Sequence, residues 1–384
     1  MSNPTGYSLL SYGEMINDSA RMGPYADALA RCVKPGDVVL DVGAGTGIFS
    51  LLACQLGAER VFAIEPDDAI QLAPELASAN GCEDRITFIQ SISTEVDLPI
   101  MANVMVSDLR GVLPLLEHHI AAVVDARERL LVPGATQIPA SDSLWATVVE
   151  DAPCYRKFAE PWSGNVHGLD MRAGLTRATS TWRRHAVKPE QLLADPQCWA
   201  TLDYRTITST NVSGQVTLIA TRRGTAHALL LWFDAELCEG VGFSNAPTAP
   251  ELLYGQAFFP LGKPVELEAG DEVTLKLSAH LIGGDYIWSW HTRINSGSSS
   301  VVKAEFSQST FEGMVANAER LKRREQEFVP PASESLQVDR MCLELVDGGR
   351  SLGAIAEQLA AQFPSRFATR QKALDHVADL TNNY

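Results

Sequence analysis

The stretch Val38–Glu65, VVLDVGAGTGIFSLLACQLGAERVFAIE, decides how the chain is read. It runs from a strand, VVLDV, through the turn GAGTG into a helical segment, IFSLLACQLG, and out through a second strand, RVFAIE: a βαβ unit. Gly43, Gly45 and Gly47, with Ala44 and Thr46 between them, give G-x-G-x-G, which lets the backbone turn tightly and bring N–H groups close to a ligand at a helix N-terminus. The dinucleotide fingerprint asks for glycine at position 48, where this chain has Ile48, which argues against NAD. Glu65 closes the second strand, where a carboxylate can accept both hydroxyls of a ribose. Asp41, two residues ahead of the first glycine, can orient the turn or contact the amino acid part of a cofactor.

Working outward, apolar runs at Ile86–Ile89 and Val104–Val106 continue a parallel open sheet to about residue 140. Past Pro139 the pattern alternates: Val216, Leu218 and Ala220, then Val273, Leu275 and Leu277, then Tyr286, Trp288 and Trp290 each share one face, with turns at 269–271 and 283–285. That predicts an antiparallel sandwich or barrel. A segment rich in Arg, Trp and Leu between Pro161 and about Gln197 interrupts the alternation and is expected to be an inserted helical arm. Phe311–Phe328 is expected to be a charged helix, followed by the linker VPPASES and a small helical domain from about Leu336.

Bulk properties narrow the partners. The 384 residues, 46% apolar, can build more than one core. Against 47 acidic residues stand 31 basic ones, a net charge of −16, which disfavours nucleic acid and anionic membranes and suits a cationic partner. The seven cysteines are scattered, with no C-x-x-C pair and no metal-like spacing to histidines, so they are expected to be reduced and no metal is implied. With no basic leader and no apolar run of bilayer length, the expectation is a soluble cytoplasmic protein.

The Val38–Glu65 stretch resembles the first two motifs of the protein arginine methyltransferase family almost continuously, and the similarity runs from about residue 10 to about 295. YGEMINDSAR resembles that family's entry helix over the cofactor; the resemblance implies that Met15 lies at the cofactor and that Arg21 pairs with its methionine carboxylate. The segment from Ser93 and Thr94 through TEVDLPIMANVMVSDLRG resembles the adenine-contacting stretch and fourth strand. Trp162 and NVHGLDM resemble the start of a dimerisation arm.

What the resemblance implies is an α/β plus β protein: entry helices over residues 1–24, a Rossmann-like S-adenosylmethionine-binding domain over 25–140, and a β-barrel substrate domain over 141–310 with its helical arm at about 163–197. A helix and linker over 311–335 and a small domain over 336–384 follow, and a homodimer is the expected assembly. In SDLRGVLPLLE, Asp108 and Glu117 take the places of two glutamates that clamp a substrate guanidinium. Guanidinium presents a planar fork of donors that carboxylates meet in pairs, aligning one nitrogen with the sulfonium methyl.

Two departures stand out. Asp108 is one methylene shorter than the family residue, and Leu252, Leu253 and Tyr254 replace a Thr-His-Trp loop whose histidine supports the clamp; His118 and His119 are candidate substitutes.

Residues 336–384 resemble the small PqqD-like domains that grip leader peptides, a rhythm that winged-helix DNA-binding modules share. The reading is an S-adenosylmethionine-dependent methyltransferase acting on an arginine guanidinium of a protein or peptide. A natural-product methyltransferase with a non-arginine N or O acceptor and an inactive regulatory homologue are its alternatives.

Overall fold

Five strands, β1 (Val38–Val42), β2 (Arg60–Ile64), β3 (Ile86–Ile89), β4 (Ala102–Ser107) and β5 (Leu131–Ile138), form a wholly parallel sheet in the order β3-β2-β1-β4-β5. The computed structural model describes residues 7–297, 301–315, 317, 319, 322, 323 and 326–381. Val39, Leu40, Val61, Phe62, Val104 and Met105 are all buried, because helices cover both faces and the strands have no reason to alternate. The helices in this part are α1 (Leu9–Asn17), α2 (Ser19–Cys32), α3 (Ile48–Gln55), α4 (Ala73–Ala79) and α5 (His119–Arg129). Ser8 caps α1 and Asp18 caps α2, each side chain accepting a backbone N–H of the first turn. The strand order reverses between β1 and β4, so a crevice opens beyond their C-terminal ends, where such sheets collect ligands. The glycine turn follows β1 and the loop bearing Asp108 follows β4, which puts both at that crevice.

Beyond Pro139 the chain is antiparallel, as expected from its alternation. One sheet runs in the order β10 (Gln197–Asp203), β6 (Ser141–Val149), β12 (Gly224–Cys238), β14 (Gln256–Leu267) and β9 (Arg183–His185), with β13 (Val241–Ser244) beside β12. The other holds β11 (Val212–Ile219), β15 (Glu272–Ile282), β16 (Asp285–Asn295) and β17 (Val302–Ser309). The sheets meet through aromatic side chains: the ring of Phe259 from β14 lies 5.4 Å from Trp288 and 5.0 Å from Trp290, both on β16, edge to face.

The inserted segment differs from the expected helical arm. Its helix, α6 (Ala152–Ala159), precedes it; within it lie the two-residue strands β7 (Asn165–Val166) and β8 (Leu169–Asp170), the short α7 (Leu175–Thr179), and β9, which pairs with β14. Gly164, Gly168 and Gly174 break any long helical run here, with Gly168 at φ +82° turning the β7–β8 hairpin. Of the helix expected over Phe311–Phe328, the described residues hold a turn over Thr310–Gly313 and helical Glu319 and Lys322, with Arg323 N–H donating to the Glu319 carbonyl at 3.1 Å; residues 316, 318, 320, 321, 324 and 325 of that stretch lie outside the described residues.

A separate compact unit begins at Val315. Its helices Glu334–Asp347, Leu352–Gln362 and Arg370–Thr381 enclose a core of Val338, Cys342, Ile355, Leu359, Phe367 and Val377. Ser333 and Ser351 cap the first two helices, and Gly349, at φ +69°, turns the chain between them. No strand occurs among the described residues of this unit.

Candidate active site

The glycine turn is held open by backbone that only glycine adopts freely. Gly43, Gly45 and Gly47 have φ of +75°, +54° and +86°. A Cβ on Gly43 would come within 2.3 Å of Leu109 Cδ2, and one on Gly45 within 2.6 Å of Tyr12 Cε1, so α1 and the β4 loop close over the turn from two sides. Ala44 and Thr46 are buried beside them.

Asp41 is fully buried. Its Oδ2 accepts from the backbone N–H of Ser50 at 3.0 Å and from Ser50 Oγ at 2.7 Å, while its Oδ1 has no partner among the described residues. Burial pushes its carboxyl up to about 7, although the Ser50 bonds favour the charged form. Of the two roles expected for Asp41, orienting the turn is the one these contacts describe; it ties the start of α3 to β1 from within.

Glu65, nearly buried, accepts from the N–H of Gly45 on Oε2 and from the N–H of Asp67 on Oε1, each at 2.9 Å. Burial raises its carboxyl above the ordinary range, and the two backbone bonds oppose that rise. Each carboxylate oxygen keeps acceptor capacity for a hydroxyl group. Ser93 and Thr94 open a short turn after β3; Ser93 is buried and its carbonyl accepts from Arg129 Nη2 at 3.0 Å, while Thr94 is exposed. Met15 is half-buried on α1, its carbonyl bonded by Arg21 Nη1 at 3.1 Å. A carboxylate at the strand end, a close-approach glycine turn and a covering helix fit a nucleoside-bearing cofactor.

On the β4 side Asp108 is the centre of a buried network. Its Oδ2 accepts from Arg21 Nε and from the Tyr254 hydroxyl, both at 2.6 Å, and its Oδ1 accepts from Arg110 Nε at 3.1 Å. Burial alone would raise its carboxyl; Arg21 and Arg110 outweigh it and hold the group down at about 2. Arg110 continues the network, donating Nη1 to Asp142 Oδ1 on β6 at 2.9 Å and Nη2 to the Tyr25 hydroxyl. Tyr204 donates to the other Asp142 oxygen at 2.5 Å. Faces of Phe243, Phe233 and Tyr25 surround the Arg110 guanidinium.

Arg21, expected from the resemblance at the methionine carboxylate, is therefore engaged by Asp108 here. Glu117 is exposed at φ +41° and forms no hydrogen bond or ion pair among the described residues, so no contact joins it to Asp108.

Neither candidate histidine reaches Asp108. His118 is exposed, and His119 is buried with Nδ1 on the carbonyl of Pro114 at 2.9 Å; burial and the nearby Arg110 pull it down to about 4. Leu253 supports the site only through its backbone, its N–H donating to Asp18 Oδ2 at 3.0 Å. Sequence reasoning missed Arg110, Asp142, Tyr25 and Tyr204. The available signal was one charged residue, Arg110, ahead of the apolar GVLPLL.

Residues 140–282 match the family model described as the arginine methyltransferase oligomerization subdomain, and residues 26–134 match that of ribosomal protein L11 methyltransferase. Protein arginine N-methyltransferase 1 of Dictyostelium discoideum is 30% identical over 269 residues, covering 68% of this chain and 79% of that protein. The chain belongs to the protein arginine methyltransferase family. Probable protein arginine N-methyltransferase 1.2 of Arabidopsis thaliana is likewise 30% identical, over 68% of this chain and 73% of that protein. The fold is that of the arginine methyltransferases too. A Trypanosoma brucei PRMT1 enzyme–prozyme heterotetrameric complex with AdoHcy superposes with a TM-score of 0.70 at 24% identity, over 78% of this chain and 97% of that one. Arabidopsis thaliana protein arginine methyltransferase 10 does so at 0.69 and 20% identity, over 79% and 97%. As a member of this family the protein is an S-adenosylmethionine-dependent methyltransferase. No helix among the described residues is long and apolar enough to cross a membrane.

Proposed function

We propose that this methyltransferase acts on a guanidinium nitrogen of arginine in a protein or peptide. The observation that carries the reading is Asp108, a buried carboxylate held ionised at the crevice beyond β4, as recognition of a cation demands. S-adenosylmethionine, when bound, supplies an electrophilic methyl group on its sulfonium. The chain's own part is to align the acceptor: Asp108 holds one edge of the guanidinium from inside and Glu117 approaches from the exposed end of the loop, converting the transfer into a positioned encounter. On the cofactor side Glu65 takes the ribose hydroxyls, the Gly43–Gly47 turn takes close backbone approach, Met15, Ser93 and Thr94 flank the adenosine, and Arg21 takes the methionine carboxylate.

The match to an oligomerization subdomain supports a homodimer, and the scattered free cysteines support a reducing, cytoplasmic setting. We divide the chain into a cofactor domain to about residue 140, a barrel to about 310, and a C-terminal unit whose small helical core suits a peptide partner.

The test is transfer of label from methyl-labelled S-adenosylmethionine to arginine-containing peptides and host protein, followed by acid hydrolysis. Methylarginine that vanishes in the Asp108→Ala, Glu117→Ala double variant supports the assignment; label elsewhere, or label that survives the variant, overturns it.

A further inference from the structure

A guanidinium as thoroughly enclosed as that of Arg110 is costly unless every prong is used, and here every prong is used: Nε on Asp108, Nη1 on Asp142, Nη2 on Tyr25. The side chains of Arg110 and Asp142 have no accessible surface, and that of Asp108 has only 3%. The titratable groups that face Arg110 are Asp108 on its own loop, Tyr25 on α2, Asp142 on β6 with Tyr204 behind it, His119 on α5, and Tyr254 and Arg21 on the far side of Asp108. Arg110 therefore fixes Asp108 to two other elements at once, the entry helix α2 and the first barrel strand β6.

Asp108 Oδ2 is fixed separately, by Tyr254 and Arg21. A short carboxylate side chain reaching for an acceptor has to be set within a fraction of an ångström, because a displacement of about 1 Å costs about 10²-fold in rate. Neither His118 nor His119 is available to set it.

We propose that Arg110 is a positioning residue for methyl transfer: a built-in guanidinium that, with Tyr254, holds Asp108 in one orientation against the acceptor. The inference rests on the reading of Asp108 as an acceptor-binding group. It gives Asp108 a second task, since each of its oxygens meets a protein guanidinium, Oδ1 that of Arg110 and Oδ2 that of Arg21, before any acceptor arrives. Oδ1 carries one bond, from Arg110, and Oδ2 carries two, from Arg21 and Tyr254, so the acceptor capacity that remains lies mainly on Oδ1.

The experiment compares full-length wild type with Arg110→Met and Arg110→Lys, reading kcat and KM on total transferred label, the pH profile of kcat/KM, and S-adenosylhomocysteine affinity by calorimetry. Arg110→Met is expected to lose about 10²-fold in kcat with cofactor affinity kept within about threefold. Its acid limb should rise by about 1 to 3 pH units, because Asp108 has lost a neighbouring cation. Arg110→Lys, which keeps the charge, should restore the acid limb and only part of kcat.

A purely structural Arg110 would change stability and leave kcat or the acid limb where the wild type has them; either result overturns the proposal. Should Arg110→Met not fold, Arg110→Lys decides alone: kcat down at least about tenfold supports positioning, and wild-type kcat overturns it. Wild-type label without methylarginine sinks the arginine assignment alone, because this comparison is read on total label. No transfer by wild type overturns both.

Discussion

Replacing Asp41 by asparagine should remove a loss of stability with rising pH from the ligand-free protein. Asp41 is fully buried, bonded among the described residues only to Ser50, and burial pushes its carboxyl up to about 7 in the folded chain against an ordinary 3.8. Between those two values the folded chain holds a proton that the unfolded chain has released, so stability is greatest at low pH and falls as pH rises through 7. A rise of that size is worth about 4 kcal/mol. Asparagine imitates the protonated form, with an oxygen for Ser50 and an amide at the place of the unpartnered Oδ1, and it does not titrate.

The assay is urea unfolding at pH 5, 6, 7 and 8, followed by tryptophan fluorescence. All seven tryptophans lie between Trp145 and Trp290, so the signal reports the first unit and not the one beginning at Val315. From pH 5 to 8 the wild type should lose about 2 to 3 kcal/mol relative to Asp41→Asn, most of it between pH 5 and 7. Parallel curves for the two proteins would refute the reasoning, and so would a wild type that gains on the variant as pH rises.

Other expectations follow from the same geometry. Gly43→Ala meets both a left-handed backbone, which costs about 1–2 kcal/mol, and the Leu109 side chain, so calorimetry should find S-adenosylhomocysteine affinity down at least about tenfold. Glu65→Ala removes acceptors from the ribose side and the tie to Gly45, and should weaken the same ligand by about 10- to 100-fold; unchanged affinity would put the ribose elsewhere. A chain ending at Met314 keeps the first unit's core intact and should unfold with the full-length tryptophan transition and bind S-adenosylhomocysteine unaltered.

Much of this was legible in the sequence for physical reasons. A parallel sheet covered on both faces writes continuous apolar strands such as Val38–Val42, and an antiparallel sheet facing water on one side writes alternation such as Leu275–Lys276–Leu277. A glycine turn with a carboxylate at the next strand end is a local pattern, so Gly43, Gly45, Gly47 and Glu65 could be named from spacing. The surroundings of Asp108 could not. Its partners are Arg21 on α2, Arg110 on its own loop and Tyr254 ahead of β14, between 2 and 146 residues away, and Arg110 reaches on to Asp142 on β6; only folding brings them together.

The inserted arm misled for a different reason. Arg and Leu favour helices, while the glycines at 164, 168 and 174 and the pairing of β9 with β14 outweigh that preference. His119 is likewise a residue whose adjacency in sequence says nothing of direction: it turns to Pro114, away from the carboxylate it was expected to support.

Helix α1 buries none of its residues, and its Tyr12 ring lies across the glycine turn at Gly45. Such a helix has little of its own to hold it down. Its grip comes from whatever lies between it and the turn, so Leu9–Asn17 should behave as a gauge of occupancy, open to a protease in the empty enzyme and shielded once the cleft is filled.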